Sequence, residues 1–164
     1  MKHLYITRHG KSSWNSESVR DIDRPLKDRG VTDGYLMGSK LSEMNNPPEL
    51  IISSQANRAL HTATIIARTL NYPMQKLLID EQLYMAPLDY MHNKIKSLPH
   101  GIDAVMLVSH NPTSTELVND FLATPIDNLP TTGFVKLSFD CKSWREISPS
   151  KITEASIEYP KKHK

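Results

Sequence analysis

Hydrophobic positions along the chain fall into two alternating kinds of segment. Residues 3–8, 50–53, 77–79 and 104–109 are short, nearly unbroken apolar runs rich in Ile, Leu and Val. That is the pattern of strands buried on both faces. Between them the spacing lengthens. In 57–70, Ala59, Thr62, Ala63, Ile66, Ala67 and Leu70 recur at i, i+3, i+4 and i+7, which predicts a helix with Asn57 as its N-cap. Residues 31–45 present Val31, Leu36, Met37, Leu41 and Met44 before Pro47-Pro48 stops them, and Gly34 and Gly38 leave room for close packing. A helix over 88–98 rests on Met91, Ile95 and Leu98. A fourth opens at Thr113-Ser114-Thr115-Glu116, a capping-box pattern in which Glu116 returns to the amide of Thr113, and then buries Leu117, Val118, Phe121 and Leu122. Beyond Pro130, Phe134–Phe139 alternates, and Trp144–Ile147 is expected to pair with it as a closing hairpin.

Strands that alternate with helices predict an α/β fold of three layers, αβα, with a mainly parallel central sheet and one antiparallel strand. No repeat, low-complexity linker or second apolar core interrupts the pattern. One domain over 1–160 is therefore expected, with the basic tail 161–164 frayed in solvent. Composition narrows the function classes. Hydrophobic residues make up 38% of the 164, enough for a real core. The net charge of +2 is too small for an electrostatic footprint on nucleic acid. A single cysteine, Cys141, rules out an internal disulfide and a thiolate zinc site built by this chain alone. No apolar run approaches the ~20 residues of a membrane span, and Arg8 arrives too early for a signal-peptide core, so a soluble cytoplasmic protein is expected with no membrane partner.

Chemistry collects where the predicted strands end. Leu4-Tyr5-Ile6 leads to Arg8-His9-Gly10, Leu50–Ser54 leads to Arg58, and Ala104–Ser109 leads to His110. In open α/β sheets ligands bind outside the carboxyl ends of strands, where helix amino termini add unpaired N–H groups. An imidazole with a reference pKa near 6.5 is largely neutral at pH 7 and carries a lone pair able to attack phosphorus. Arg8 and Arg58 disfavour its protonation and present planar forks that match phosphoryl oxygens. Taken singly, each residue has a plainer account: Arg8 a strand-end surface charge, His9 a satisfied polar residue, His110 a turn residue. Arg58 at a helix start opposes the dipole and fits a surface ion pair poorly. His3, His61, His92, His100 and His163 have no partner at metal-ligand spacing, and neither a Walker loop nor a dinucleotide fingerprint occurs. No metal, nucleotide or other cofactor is expected.

The ordered set of Arg8-His9-Gly10, Asn15, Arg58 within Ser54-Gln55-Ala56-Asn57-Arg58-Ala59, Glu81 and His110 resembles the histidine phosphatase superfamily, which includes cofactor-dependent phosphoglycerate mutases. Lys11-Ser12-Ser13-Trp14, Asp21-Ile22-Asp23-Arg24-Pro25-Leu26, Arg29-Gly30 and Leu107–Pro112 resemble its small SixA-type phosphohistidine phosphatases. Gly10 and Ser54-Gln55 depart from the Arg-His-Ala and Ser-Ser-Pro often found there, without touching a reacting atom. The resemblance implies a phosphoglycerate mutase-like fold, His9 as nucleophile, Arg8 and Arg58 as phosphate clamps and His110 as the second pocket histidine. It further implies that Asn15, Asp21, Arg24 and Asn111 contact substrate near the entrance, although Asp21, Asp23 and Arg24 also read as an ordinary loop ion-pair cluster.

A phosphatase with a phosphohistidine intermediate follows as the expectation. Glu81 is the candidate acid for an alkoxide leaving group, with a solvated Asp80-Glu81 pair as the plainer account. Only twenty-five residues lie between Tyr84 and His110, little for a lid. An open site favours a phosphorylated protein of the histidine-containing phosphotransfer type over a small phosphate ester. The remaining readings are a general small-molecule phosphomonoesterase, a mutase, or a non-catalytic module that binds phosphoproteins through the same cations.

Overall fold

The computed structural model describes residues 1–14 and 18–164. Six strands, β1 (Lys2–Arg8), β2 (Leu50–Ser53), β3 (Leu77–Ile79), β4 (Ala104–Ser109), β5 (Phe134–Phe139) and β6 (Ile152–Glu158), form one sheet in the order β3-β2-β4-β1-β5-β6. The neighbours among β1 to β4 pair in parallel, and β5 runs antiparallel to both β1 and β6. The helices α1 (Asp28–Ser42), α2 (Asn57–Thr69), α3 (Leu88–Lys96) and α4 (Thr113–Phe121) cover both faces.

Strand periodicity explains why the central strands read as unbroken apolar runs. Leu4 and Ile6 of β1 join Val105 and Leu107 of β4 in a core against α3 and α4, whereas Tyr5 joins Ile51, Met106 and Val108 in a core against α1 and α2. On the side of the second core α1 and α2 approach each other closely at Gly34 and Gly38. A Cβ added to Gly38 would lie 2.0 Å from Thr69 Oγ1.

Several expectations are corrected in detail. Trp144–Ile147 is not the partner of β5: Trp144–Glu146 form a 3₁₀ turn, and β6 makes the hairpin. Trp144 is apolar in the sequence because it plugs the core; its Nε1 donates to the Ile102 carbonyl at 2.8 Å. β6 lies at the sheet edge with most residues partly exposed, so its apolar pattern is weak. Helix α1 starts at Asp28, earlier than the apolar period indicates, and takes Gly30 into its first turn. In α2 the cap position is Ala56, and the Asn57 side chain donates to the Asp23 carbonyl instead. The capping box of α4 does not form: Thr113 Oγ1 donates to Ala86 O, and Asn111 Oδ1 accepts from the Thr115 amide. Pro160–His163 form a 3₁₀ turn, with His163 on Glu158 at 2.6 Å and Lys164 on Asp33 at 2.8 Å. Among the described residues no helix is long and apolar enough to cross a membrane.

Candidate active site

Strand register sets the heart of the site. Parallel pairing of β1 with β4 places Arg8 opposite Ser109, so the next residue on each strand, His9 and His110, leaves the sheet beside the other. Their ring centroids are 5.1 Å apart. The neighbouring strand β2 ends one step earlier and delivers Ser54, whose hydroxyl lies 2.7 Å from His110 Nε2. Arg58 comes from the first turn of α2, directly after that strand. Both histidines and Arg58 are buried. Gly10 lets the chain turn closely past α2 and α1: its amide donates to Thr62 Oγ1 at 2.9 Å, and a Cβ there would lie 3.2 Å from the Gly30 carbonyl oxygen.

The two rings are held differently. His9 Nδ1 lies 2.7 Å from the Gly10 carbonyl, an acceptor only, so Nδ1 carries the proton and Nε2 keeps a free lone pair. Burial is the main reason its pKa falls to about 4, with Arg58, Arg8 and Arg24 adding to the fall and the Gly10 contact opposing it. His110 falls to about 3, through burial first and then through His9 and Arg58. Its Nδ1 is buried and has no partner among the described residues. Arg8 donates Nη1 to the Leu129 carbonyl at 3.0 Å while its buried Nε has no partner among the described residues. Such unfilled donors in a cationic wall suit an incoming anion.

The facing wall is assembled by Asp21 and Arg24, on and just after a 3₁₀ turn over Asp21–Asp23. Arg58 donates Nη1 to the Asp21 carbonyl at 2.7 Å and Nη2 to its carboxylate at 3.0 Å. Tyr84 donates its hydroxyl to that same carboxylate oxygen at 2.5 Å, and Arg24 Nη1 reaches the other at 2.9 Å. With the Tyr84 contact as the largest cause and Arg24 and Arg58 adding to it, Asp21 stays ionised well below the usual carboxylate range. Arg24 is fully engaged, through Nε on Ser13 O, Nη2 on Ser12 Oγ and a stack 3.2 Å from the exposed Trp14 ring.

These walls enclose a cavity of about 280 Å³ lined by Arg8, His9, Asp21, Arg24, Arg58, His110 and Asn111 among others, continuous with a second of about 350 Å³ along Tyr84 and Met85. Of the expected residues, Arg8, His9, Arg58, His110, Asp21, Arg24 and Asn111 converge there. Asn111 spends its amide on the protein itself, donating to Asn128 Oδ1 at 2.7 Å and accepting from Thr115, so it braces the 128–131 loop. Asn15 lies outside the described residues. Glu81 is not brought to these cavities: it sits exposed on a 3₁₀ turn (Glu81–Leu83), where its neighbour Asp80 caps the turn through the Gln82 amide and Leu83 is the residue buried. The sequence reading passed over Ser54, Tyr84 and the Gly10 carbonyl. Ser54 was signalled by its place at the end of β2; Tyr84 and the carbonyl carry no signal in one sequence. Among the described residues no group of three His, Cys, Asp or Glu is placed to hold a metal ion.

Two neutral imidazoles, the buried Arg58 and the half-buried Arg8 meet at the carboxyl edge of a mainly parallel sheet in an α/β protein, an arrangement suited to an anion. Residues 4–83 are similar to the model of the histidine phosphatase superfamily, branch 1. It superposes on SixA of Agrobacterium tumefaciens with a TM-score of 0.77 at 25% identity, covering 84% of this chain and 92% of that one. The protein histidine phosphatase SixA complexed with tungstate gives 0.79 at 20% identity over 99% of each chain. An uncharacterized chloroplastic protein of Arabidopsis thaliana is 41% identical over 61 residues, 37% of this chain and 28% of that protein. The chain spans 26% to 28% of the length of several curated relatives that it matches.

Proposed function

We propose that this protein is a phosphatase that carries the phosphoryl group transiently on His9 and takes it from phosphohistidine in another protein. The observation that carries the reading is the pinned His9 tautomer, with Nε2 free between Arg8, Arg58 and the unpartnered His110 Nδ1. In the first step the Nε2 lone pair forms a bond to phosphorus while the bond to the substrate nitrogen breaks, its electron pair leaving on an imidazole already protonated at its other nitrogen. Water then adds its oxygen to phosphorus, the P–Nε2 bond breaks, the pair returns to His9, and inorganic phosphate departs. Ser54 Oγ accepts from the Ala56 amide at 3.2 Å and its own proton is free for His110 Nε2, which leaves the proton of neutral His110 on Nδ1, ready to donate to a phosphoryl oxygen. Arg8, Arg58 and His110 thus stabilise the charge that spreads over the equatorial oxygens.

The leaving group decides between the phosphohistidine and ester readings. An alkoxide needs a positioned acid, worth about 10²–10⁴ in rate. Asp21 is the carboxylate lining the cavities among the described residues; it is ionised and bound by Tyr84, Arg24 and Arg58, so it has no proton to give at neutral pH. A leaving imidazole needs none. We read the partner as a histidine-containing phosphotransfer protein, whose phosphorylated side chain is narrow enough to enter the cavity of about 280 Å³.

The test is a panel of such a phosphorylated domain, free phosphohistidine and sugar phosphates, assayed in EDTA with wild type and His9→Ala. We expect preference for the phosphohistidine substrates, acid-labile labelling of the wild type, and no labelling and a loss of at least about 10⁴-fold in His9→Ala. Preference for sugar phosphates overturns the substrate; an unlabelled wild type overturns the intermediate.

A further inference from the structure

A third cavity, of about 460 Å³, adjoins the catalytic one. The two share Arg8, Lys11 and Thr131, and the third continues along Arg29 of α1 to Lys161 and Lys164 in the segment after β6. Five cationic side chains, Arg8, Lys11, Arg29, Lys161 and Lys164, face one carboxylate, Asp33. In a chain whose net charge is +2, that is a strong local excess.

The patch is constructed rather than incidental. Asp33 is buried, with its side chain 2% exposed, and it draws on both Lys164 Nζ at 2.8 Å and Arg29 Nε at 3.6 Å. One buried carboxylate thereby fastens the last residues against α1 and holds the lysines beside the catalytic opening. A surface tail with no such anchor would leave its charges free to diffuse. Arg29 and Lys161 are exposed, and long exposed cations on a rim suit an extended acidic face, which they steer and register, better than one enclosed small anion.

We propose that this cavity is a docking surface for acidic side chains of the phosphorylated protein, which rests on the phosphoprotein reading above. With the phosphorylated tip in the catalytic cavity, the partner residues around that tip lie over the neighbouring rim, which shares Arg8, Lys11 and Thr131 with it. Carboxylates there meet Arg29 and Lys161 while the phosphoryl group meets His9.

The experiment compares wild type with the Arg29→Gln, Lys161→Gln double variant on three probes. These are a phosphorylated histidine-containing phosphotransfer domain with acidic residues around its histidine, the same domain with those residues changed to Asn and Gln, and free phosphohistidine. We expect kcat/KM on the acidic domain to fall about tenfold at low salt, with a flatter salt dependence. Activity on free phosphohistidine stays within about twofold, which also reports that the variant is folded. The neutralised domain is turned over equally by both proteins. Equal losses on all three probes, or no loss on the acidic domain, overturn the docking surface alone. A wild type that hydrolyses free phosphohistidine but neither domain overturns the phosphoprotein reading, and the docking surface with it.

Discussion

His9 and His110 stand on adjacent parallel strands whose ladder fixes them side by side, whereas Asp21 and Arg24, on the opposite wall of the same cavity, stand on and beside a single 3₁₀ turn held by ion pairs and a stacked Trp14. The inner wall is tied to the molecule by backbone hydrogen bonds and two hydrophobic cores. The outer wall is tied at Asp21 by ion pairs that water reaches, its side chain being 45% exposed against 7% for Arg58, although Arg24 behind it is buried. Exposed pairs contribute about 0–1 kcal/mol each and weaken with salt, while buried polar groups lose far more when a partner is removed. One pocket therefore has a rigid half, to which the proposed chemistry is assigned, and a half that can give way should a phosphoryl group compete with Asp21 for Arg58.

The sharpest way to break this division is to remove one arginine from each wall. Arg58→Ala takes away a buried fork aimed at the phosphoryl group, and kcat on phosphohistidine should drop about 10²–10³-fold. Arg24→Ala removes a guanidinium spent on Ser12, Ser13, Asp21 and Trp14, and should cost less than about tenfold. Steady-state kinetics of the two variants decide it; equal losses would mean that the outer wall also does chemistry.

The acid limb of activity separates the walls a second way. His9 titrates near 4 because it is buried among cations, and protonation removes the lone pair. Turnover of free phosphohistidine should hold as pH falls through 6.5 and then drop about tenfold per pH unit below 4. NMR titration of the His9 Cε1–H in the free protein should show the same midpoint. A midpoint near 6.5 would mean that the inner wall is open to water.

Legibility followed the same line. β1, β2 and β4 were visible because strands buried on both faces cannot hide their apolar runs, β3 because Leu77–Ile79 stay apolar even at the exposed sheet edge, and His9, Arg58 and His110 could be placed because each closely follows a buried strand. The helices were visible to within a few residues at their ends. β6 was not, since an edge strand mostly exposed to water has no pattern to read, and Trp144 misled because a buried plug and a strand residue look alike in sequence. On the outer wall, Tyr84 lies 63 positions from the Asp21 it holds. Partners that far apart leave no trace in spacing.

Asp21→Asn sharpens the comparison at smaller amplitude. The resting carboxylate occupies Arg58 and repels an incoming anion, so its neutral replacement should tighten inorganic phosphate about tenfold, read by calorimetry or by product inhibition. Weaker phosphate binding in this variant would show that Asp21 serves to hold the turn in place, and that the outer wall is stiffer than its exposure indicates.

The smallest effect is expected at Glu81, the residue that the family resemblance made the candidate acid. It is exposed, lines neither cavity, and stands one residue after Asp80, which does engage the fold through Tyr90 at 2.7 Å and Lys94 at 3.1 Å. Glu81→Gln should therefore change kcat/KM by less than about twofold on phosphohistidine and on a monoester alike. A selective loss on the monoester would mean that the turn over Glu81–Leu83 swings inward during turnover, bringing to the pocket a proton donor that the resting outer wall lacks. The preference for phosphohistidine would then rest on the pace of that motion, and no longer on a missing acid.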